Sequence, residues 1–319
     1  MKRFNKNVFL VCSMLVVLLV LASCGNGNDD GAATVGGDGY LTIYDPLGFS
    51  VSVRPYDLET IVALTPAVTG ILIDLGLADY IVATDLHSAF IYEELGDVVA
   101  IDMFNFDVES LIVLTPDLII AHDMIMMGDM ANDPLQPLRD LDVAVAYLPA
   151  STSFEDISRD INFLGEVTQR LDEATGLDTT FRNELSEIER LVSASDVSST
   201  VYFEISPEPD MFTFGSGTFQ QELLDLVGAV NVFADQEGWF PVEVESVVAT
   251  NPEVIFTNAS FMDDPVGEIL DRPGWGEMEA ISNGRVYYID NDASSIPNHH
   301  VVIALRMMVD YLHGELNDE

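Results

Sequence analysis

Residues 60–85 read TIVALTPAVTGILIDLGLADYIVATD. The aliphatic run Ile61 to Leu64 is a strand buried on both faces, and Thr65-Pro66 ends it. Thr65-Pro66 makes a loop, and the apolar residues after it form a helix ending near Gly76. Ile81 to Ala83 makes a second strand. Strand, helix and strand within about 25 residues form a parallel crossover unit, the building block of an α/β fold.

The pattern extends both ways. Before it, LTIYDPLGFSVSV at 41–53 alternates about the turn Asp45-Pro46-Leu47-Gly48 and predicts a hairpin. After it, VESLIVLTPDLIIAHD at 108–123 gives a helix stopped by Pro116 and a strand at Leu118 to Ala121, and LRDLDVAVAYLPA at 138–150 a helix end and another strand. Strand signals then vanish. FEDISRDINFLGEVTQRL is one amphipathic helix; in the next, Ala174, Leu177, Phe181, Leu185, Ile188 and Val192 fall three and four apart. Alternation restarts at VYFEI (201–205), followed by TFQQELLDLVGAV, VESVVATNPEVIFTN and GRVYYID, and a last helix, HVVIALRMMVDYLH. We expect two Rossmann-like α/β lobes with mostly parallel sheets: an N-terminal lobe at 41–170, a connecting helix at 171–194 and a C-terminal lobe at 195–319.

One phrase occurs in both lobes. VESLIVLTPD (108–117) and VESVVATNPE (244–253) align without a gap, pairing Glu109 with Glu245, Pro116 with Pro252 and Asp117 with Glu253. In each, apolar residues pack, proline stops the helix, and the early carboxylate is free to face outward.

The first 24 residues, MKRFNKNVFLVCSMLVVLLVLASC, have a basic start, an apolar stretch too short to span a membrane comfortably, and small residues before Cys24. They read as a secretory signal (1–24), and Leu-Ala-Ser-Cys resembles the lipobox whose cysteine takes a lipid. The Gly- and Asp-rich stretch 25–40 reads as a flexible tether. Of the two cysteines, Cys12 lies in the apolar stretch and Cys24 would carry lipid, so no disulfide or thiolate metal site is expected. The net charge is −42, and beyond Cys24 there is no lysine and only nine arginines against 54 acidic residues. Nucleic acid is not an expected partner, since phosphate binding needs clustered Lys and Arg.

From residue 41 to 314 the chain resembles the substrate-binding proteins of ABC importers for iron-siderophores, haem and cobalamin, the class III or helical-backbone binding proteins. TIYDPLGFSVSV, the 60–85 stretch, FDVESLIVLTPDLIIA, FGSGTFQQELLDLVGAVNVFAD, GWFPVEVESVVATNPEVIFTN and GWGEMEAISNGRVYYID carry the resemblance in order. It implies a monomeric extracytoplasmic receptor, held at the membrane by a lipid on Cys24. It would capture a small-molecule chelate and deliver it to a permease dimer with its ATPase subunits. It implies that Glu109 and Glu245 dock onto permease arginines, and that the single connecting helix allows only small lobe movements. No intrinsic cofactor is expected; the cargo would be an iron- or cobalt-containing chelate. Two departures stand out: Thr60 replaces a common arginine, and Thr69-Gly70 a common Thr-Glu.

Ligands of open α/β sheets bind beyond the carboxyl ends of the strands. The loops expected there offer Thr65, Pro66, His87, His122, Met124, Met127, Phe212, Phe214, Trp239, Phe240, His299 and His300, an adaptable, aromatic and nitrogen-bearing surface. Arg54 is the one basic residue expected near the first lobe's loops, which disfavours highly anionic catecholate chelates against hydroxamates or corrinoids. A rival reading is a receptor for free Zn²⁺ or Mn²⁺, held by His87, His122 and His299 with Asp85 or Glu204. A haem receptor, with His or Tyr as axial ligand, is a third. An enzyme is not expected: Gly215-Ser216-Gly217 is no nucleophile elbow, and no phosphate-cradling glycine loop occurs.

Overall fold

The computed structural model describes residues 34–35, 39–54, 58–103, 105–126, 133–195 and 198–314. The signal segment, Cys24, nearly all of the tether and Met127 lie outside the described residues. Near the start, β1 (Thr34–Val35), β2 (Leu41–Tyr44) and β3 (Ser50–Val53) form an antiparallel sheet. Asp45 fixes the hairpin turn by accepting the amides of Leu47 and Phe49, and its other oxygen takes the Tyr147 amide, fastening the hairpin to the lobe behind it.

The N-terminal lobe has a five-stranded sheet of β4 (Ile61–Ala63), β5 (Ile81–Asp85), β6 (Val99–Ile101), β7 (Leu118–His122) and β8 (Ala144–Leu148), in the order β6-β5-β4-β7-β8 and parallel throughout. Its helices are α1 (Pro66–Asp74), α2 (Leu86–Ile91), α3 (Val108–Val113) and α4 (Gln136–Arg139). Two long helices follow, α5 (Phe154–Thr168) and α6 (Leu171–Ser193). Gln169, in the left-handed region at φ 59°, turns the chain between them. Gly165 lets them touch, because a Cβ there would collide with that of Ala174.

The C-terminal lobe contains β9 (Thr200–Glu204), β10 (Phe212–Phe214), α7 (Phe219–Leu226), β11 (Val230–Asn231), β12 (Trp239–Pro241), α8 (Val244–Thr250) and β13 (Val254–Thr257). It closes with α9 (Pro265–Leu270), α10 (Glu279–Ser282), β14 (Val286–Tyr288), α11 (Asn291–Ser295) and α12 (Val301–His313). Its parallel sheet runs β11-β9-β13-β14, and β10 and β12 form a separate antiparallel ribbon. The expected α/β fold of two lobes with mostly parallel sheets and a long helix between them is what the chain adopts; the ribbon and α11 were not read from the sequence.

Strand alternation builds three cores. Ile61 and Ala63 of β4, Leu118 and Ile120 of β7, Val201 and Phe203 of β9 and Val254 and Phe256 of β13 all belong to one apolar cluster that also holds Ile161, Phe181 and Ile188 of the long helices. Their neighbours in sequence face outward into one cluster per lobe: Val62 and Ile119 in the first, Tyr202 and Ile255 in the second. The inner cluster is continuous across both lobes.

Candidate functional site

In the N-terminal sheet the chain leaves β4 toward β5 on one side and later returns on the other as β7, so the topological switch lies between β4 and β7. There the Thr65 hydroxyl caps α1 by accepting the Val68 amide (3.2 Å), and Pro66 occupies the first helical turn. Thr65, Pro66 and His122 line a cavity of about 170 Å³ with Ser151, Asp160 and, from the other lobe, Ser295 to Pro297. Asp160 is the residue that sequence reasoning missed here. It is buried on α5, accepts the Ser151 hydroxyl at 2.6 Å, and burial pushes its carboxyl up to about 6 against that hydrogen bond and the charge of Arg159. Burial pushes the His122 imidazole below its ordinary value, opposed by Asp123. His122 Nδ1 lies 2.7 Å from Asp123 Oδ1 and 3.0 Å from the Met124 amide nitrogen, so it either donates to the carboxylate or accepts from the amide. Met124 is exposed. Among the described residues no arginine lines this cavity.

A larger hollow of about 420 Å³ lies at the opposite, amino-terminal ends of β7 and β8, lined by Arg54, Thr115, Asp117 and Leu141. Arg54 stacks over Tyr40 there, 4.9 Å from the ring centroid. Arg54 is therefore not among the cleft loops, contrary to the sequence expectation, because β3 delivers it to the wrong end of the sheet.

The lobes meet beside the cleft. The Tyr92 hydroxyl donates to the Pro66 carbonyl (3.0 Å) and receives the Asn298 amide (3.4 Å); burial raises its pKa and keeps it a donor. Gly70 makes this approach possible, since a Cβ would sit 2.5 Å from Tyr92 Oη and 2.7 Å from Asn298 Nδ2. His87 Nε2 faces Asp292 across the gap at 3.3 Å. On the C-terminal lobe, Phe212 and Trp239 are exposed on the β10–β12 ribbon; the Trp239 indole donates to Gln220 (3.1 Å), and Phe240 meets Phe233 edge to face. Phe214, expected in the cleft, is fully buried instead, 5.3 Å from the Phe203 ring in the lobe core.

The histidine and carboxylate set expected for a free metal ion is not assembled. Glu204 is 1% exposed and bound by both terminal nitrogens of Arg272 at 2.6 and 2.8 Å, a partner far along the chain. Asp85 caps α2 through the His87 and Ser88 amides and the Ser88 hydroxyl. His87 and His122 face the separate carboxylates of Asp292 and Asp123. His299 and His300 instead share Asp74 Oδ2, at 2.6 and 2.8 Å.

The repeated phrase holds equivalent places. In α3 and α8 the valine is half-buried, glutamate and serine are exposed, and the next residue, Leu111 or Val247, is buried. Asp117 accepts the Thr60 amide (2.9 Å) and hydroxyl (2.8 Å) just before β4, and Glu253 accepts the Thr200 amide (2.7 Å) at the start of β9. The second acid of each phrase thus clamps a central strand, while Glu109 and Glu245 are left facing solvent.

Two α/β lobes on a shared helical core, with a cleft at a switch point, define a bilobal solute-binding protein. The family described as "Periplasmic binding protein" matches residues 61–293. The chain is 30% identical to the uncharacterized ABC transporter substrate-binding lipoprotein YvrC of Bacillus subtilis, over 90% of this chain and 91% of that one. It is 27% identical to the vitamin B12-binding protein of Vibrio cholerae, over 82% and 92%. It also matches a possible iron-binding (periplasmic solute-binding) protein of Staphylococcus epidermidis with a TM-score of 0.68 and 27% identity, covering 80% and 98%. The chain belongs to the periplasmic binding protein family and is a binding protein of the ABC-importer type. Among the described residues no helix is long and apolar enough to cross a membrane.

Proposed function

We propose that the protein captures a neutral or cationic metal chelate, a corrinoid of the cobalamin kind before a hydroxamate siderophore, and hands it to an ABC permease while a lipid on Cys24 holds it at the membrane. One observation carries this reading: among the described residues, the floor of the cleft presents the buried carboxyl of Asp160 and no guanidinium. An anionic catecholate chelate would be repelled there, whereas an amide-rimmed corrinoid would not. The ribbon's exposed Trp239 and Phe212 add flat apolar surface, and the likeness to a vitamin B12-binding protein favours the corrinoid. Fluorescence titration with cyanocobalamin, a ferric hydroxamate and a ferric tris-catecholate tests it. Quenching saturated by the corrinoid is the expected result; preference for the catecholate refutes the proposal.

Glu109 and Glu245, exposed in matching slots, are the proposed docking contacts with permease arginines. Replacing both with alanine is expected to abolish uptake in cells and leave cargo affinity unchanged in solution. A double variant that transports normally, or that loses cargo affinity, removes them from that role.

A further inference from the structure

We propose that Asp74, His299 and His300 form a binding site for one divalent transition-metal ion of the Zn²⁺ type at the junction of the lobes, distinct from the cargo cleft. Asp74 ends α1 of the N-terminal lobe, and the two histidines lie in the turn leading into α12 of the C-terminal one. Both imidazoles aim Nε2 at the same carboxylate oxygen, at 2.6 and 2.8 Å, with their rings 4.3 Å apart. One donor atom from each residue lies within 4.8 Å of the others. An ion held at about 2.0–2.1 Å by two imidazoles and a carboxylate needs donors roughly 3.3 Å apart, so the Asp74 carboxylate oxygen has to move outward by at least about 0.7 Å to make room for it. That carboxylate is 39% exposed and has space to move.

Further features point the same way. The remaining coordination positions open to water on the half-exposed His300 side. Two nitrogens and one oxygen suit Zn²⁺, Ni²⁺ or Cu²⁺ over Ca²⁺ or Mg²⁺, which require oxygen shells. The strongly acidic chain also concentrates cations near it.

The site lies apart from the cleft. Asp74 is nine residues along α1 from Thr65, about 13 Å at the α-helical rise. A bound ion would nevertheless pin the lobes together. His300 donates its amide to Asn298, which reaches Tyr92 and through it the Pro66 carbonyl on the cleft floor.

The test uses the mature chain stripped of metal, titrated with Co²⁺ and followed by visible absorption, with Zn²⁺ as competitor. One tightly bound Co²⁺ per chain, displaced by one Zn²⁺, is expected. Asp74→Asn and His300→Ala, both at partly exposed positions, should each weaken Zn²⁺ at least ~100-fold, because losing even an outer partner of a ligand costs about 10–100-fold. His313→Gln should bind as the parent does. The proposal is overturned if no saturable site exists, or if the site survives in Asp74→Asn and His300→Ala, which would mark adventitious binding to the acidic surface. Corrinoid binding is measured separately, so its failure leaves the metal result standing.

Discussion

Replacing Asp160 with asparagine isolates the one carboxyl that burial disturbs most clearly in the cleft. Its pKa moves from the ordinary 3.8 to about 6 in the folded chain. A shift of about two units, at about 1.36 kcal/mol each, corresponds to roughly 3 kcal/mol of folding free energy. Because the folded value is the higher one, this contribution is fully present below about pH 4 and is lost as pH rises through about 6. Asparagine keeps an oxygen for the Ser151 hydroxyl but never ionises. Urea unfolding of both proteins at matched ionic strength, in steps from about pH 4 to pH 8, measures the effect. The difference between them cancels the titration of the other carboxylates, which otherwise dominate so acidic a chain. We expect the stability of Asp160→Asn relative to the parent to grow by about 2–3 kcal/mol over that range, mostly between about pH 4 and pH 6 with the midpoint near pH 5. A difference that is flat with pH, or that shrinks as pH rises, refutes the burial argument.

Two further substitutions probe other parts of the frame. Glu204→Leu strips Arg272 of its bidentate partner; with Glu268 still holding one side, the cost should fall near 3 kcal/mol, the low end of what breaking a buried pair costs. Denaturant unfolding measures it, and a loss below about 1 kcal/mol would mean that the pair is not held as described. Gly70→Ala drives a methyl group into Tyr92 and Asn298, so it should lower thermal stability by the equivalent of about 1–3 kcal/mol and weaken cargo binding. Unchanged melting and affinity would show that the lobes do not touch there.

The sheets were legible because their signals are local. Ile61 to Leu64 and Leu118 to Ala121 are continuous apolar runs, and continuous runs are what strands covered on both faces require. The site was less legible because its residues are defined by partners far away in sequence. Asp160 sits in an amphipathic helix where a carboxylate normally reads as solvent face; only the fold places it beneath Ser151 and the loop at 295–297. Asp74 closes an apolar helix and gives no hint that two histidines more than 200 residues on will meet it. Phe212 and Phe214 share one face of β10, so period alone could not separate the exposed ring from the buried one.

The repeated phrase and the shared core constrain each other. One apolar cluster passes from β4 and β7 through the long helices into β9 and β13, and α5 and α6 pack at contact distance where Gly165 meets Ala174. Interiors at this density shift between discrete packings and do not bend smoothly, so wide opening of the lobes would have to break that cluster. Each phrase is in turn fastened to its own central strand, by Asp117 to Thr60 and by Glu253 to Thr200. The positions of Glu109 and Glu245 are therefore set by the sheets, and the sheets by a core common to both lobes. A docking partner that touches both glutamates would sense small rotations of one lobe against the other. The contacts that bias such rotations are those beside the cleft: Tyr92 with Asn298, His87 with Asp292, and Asp74 with its two histidines.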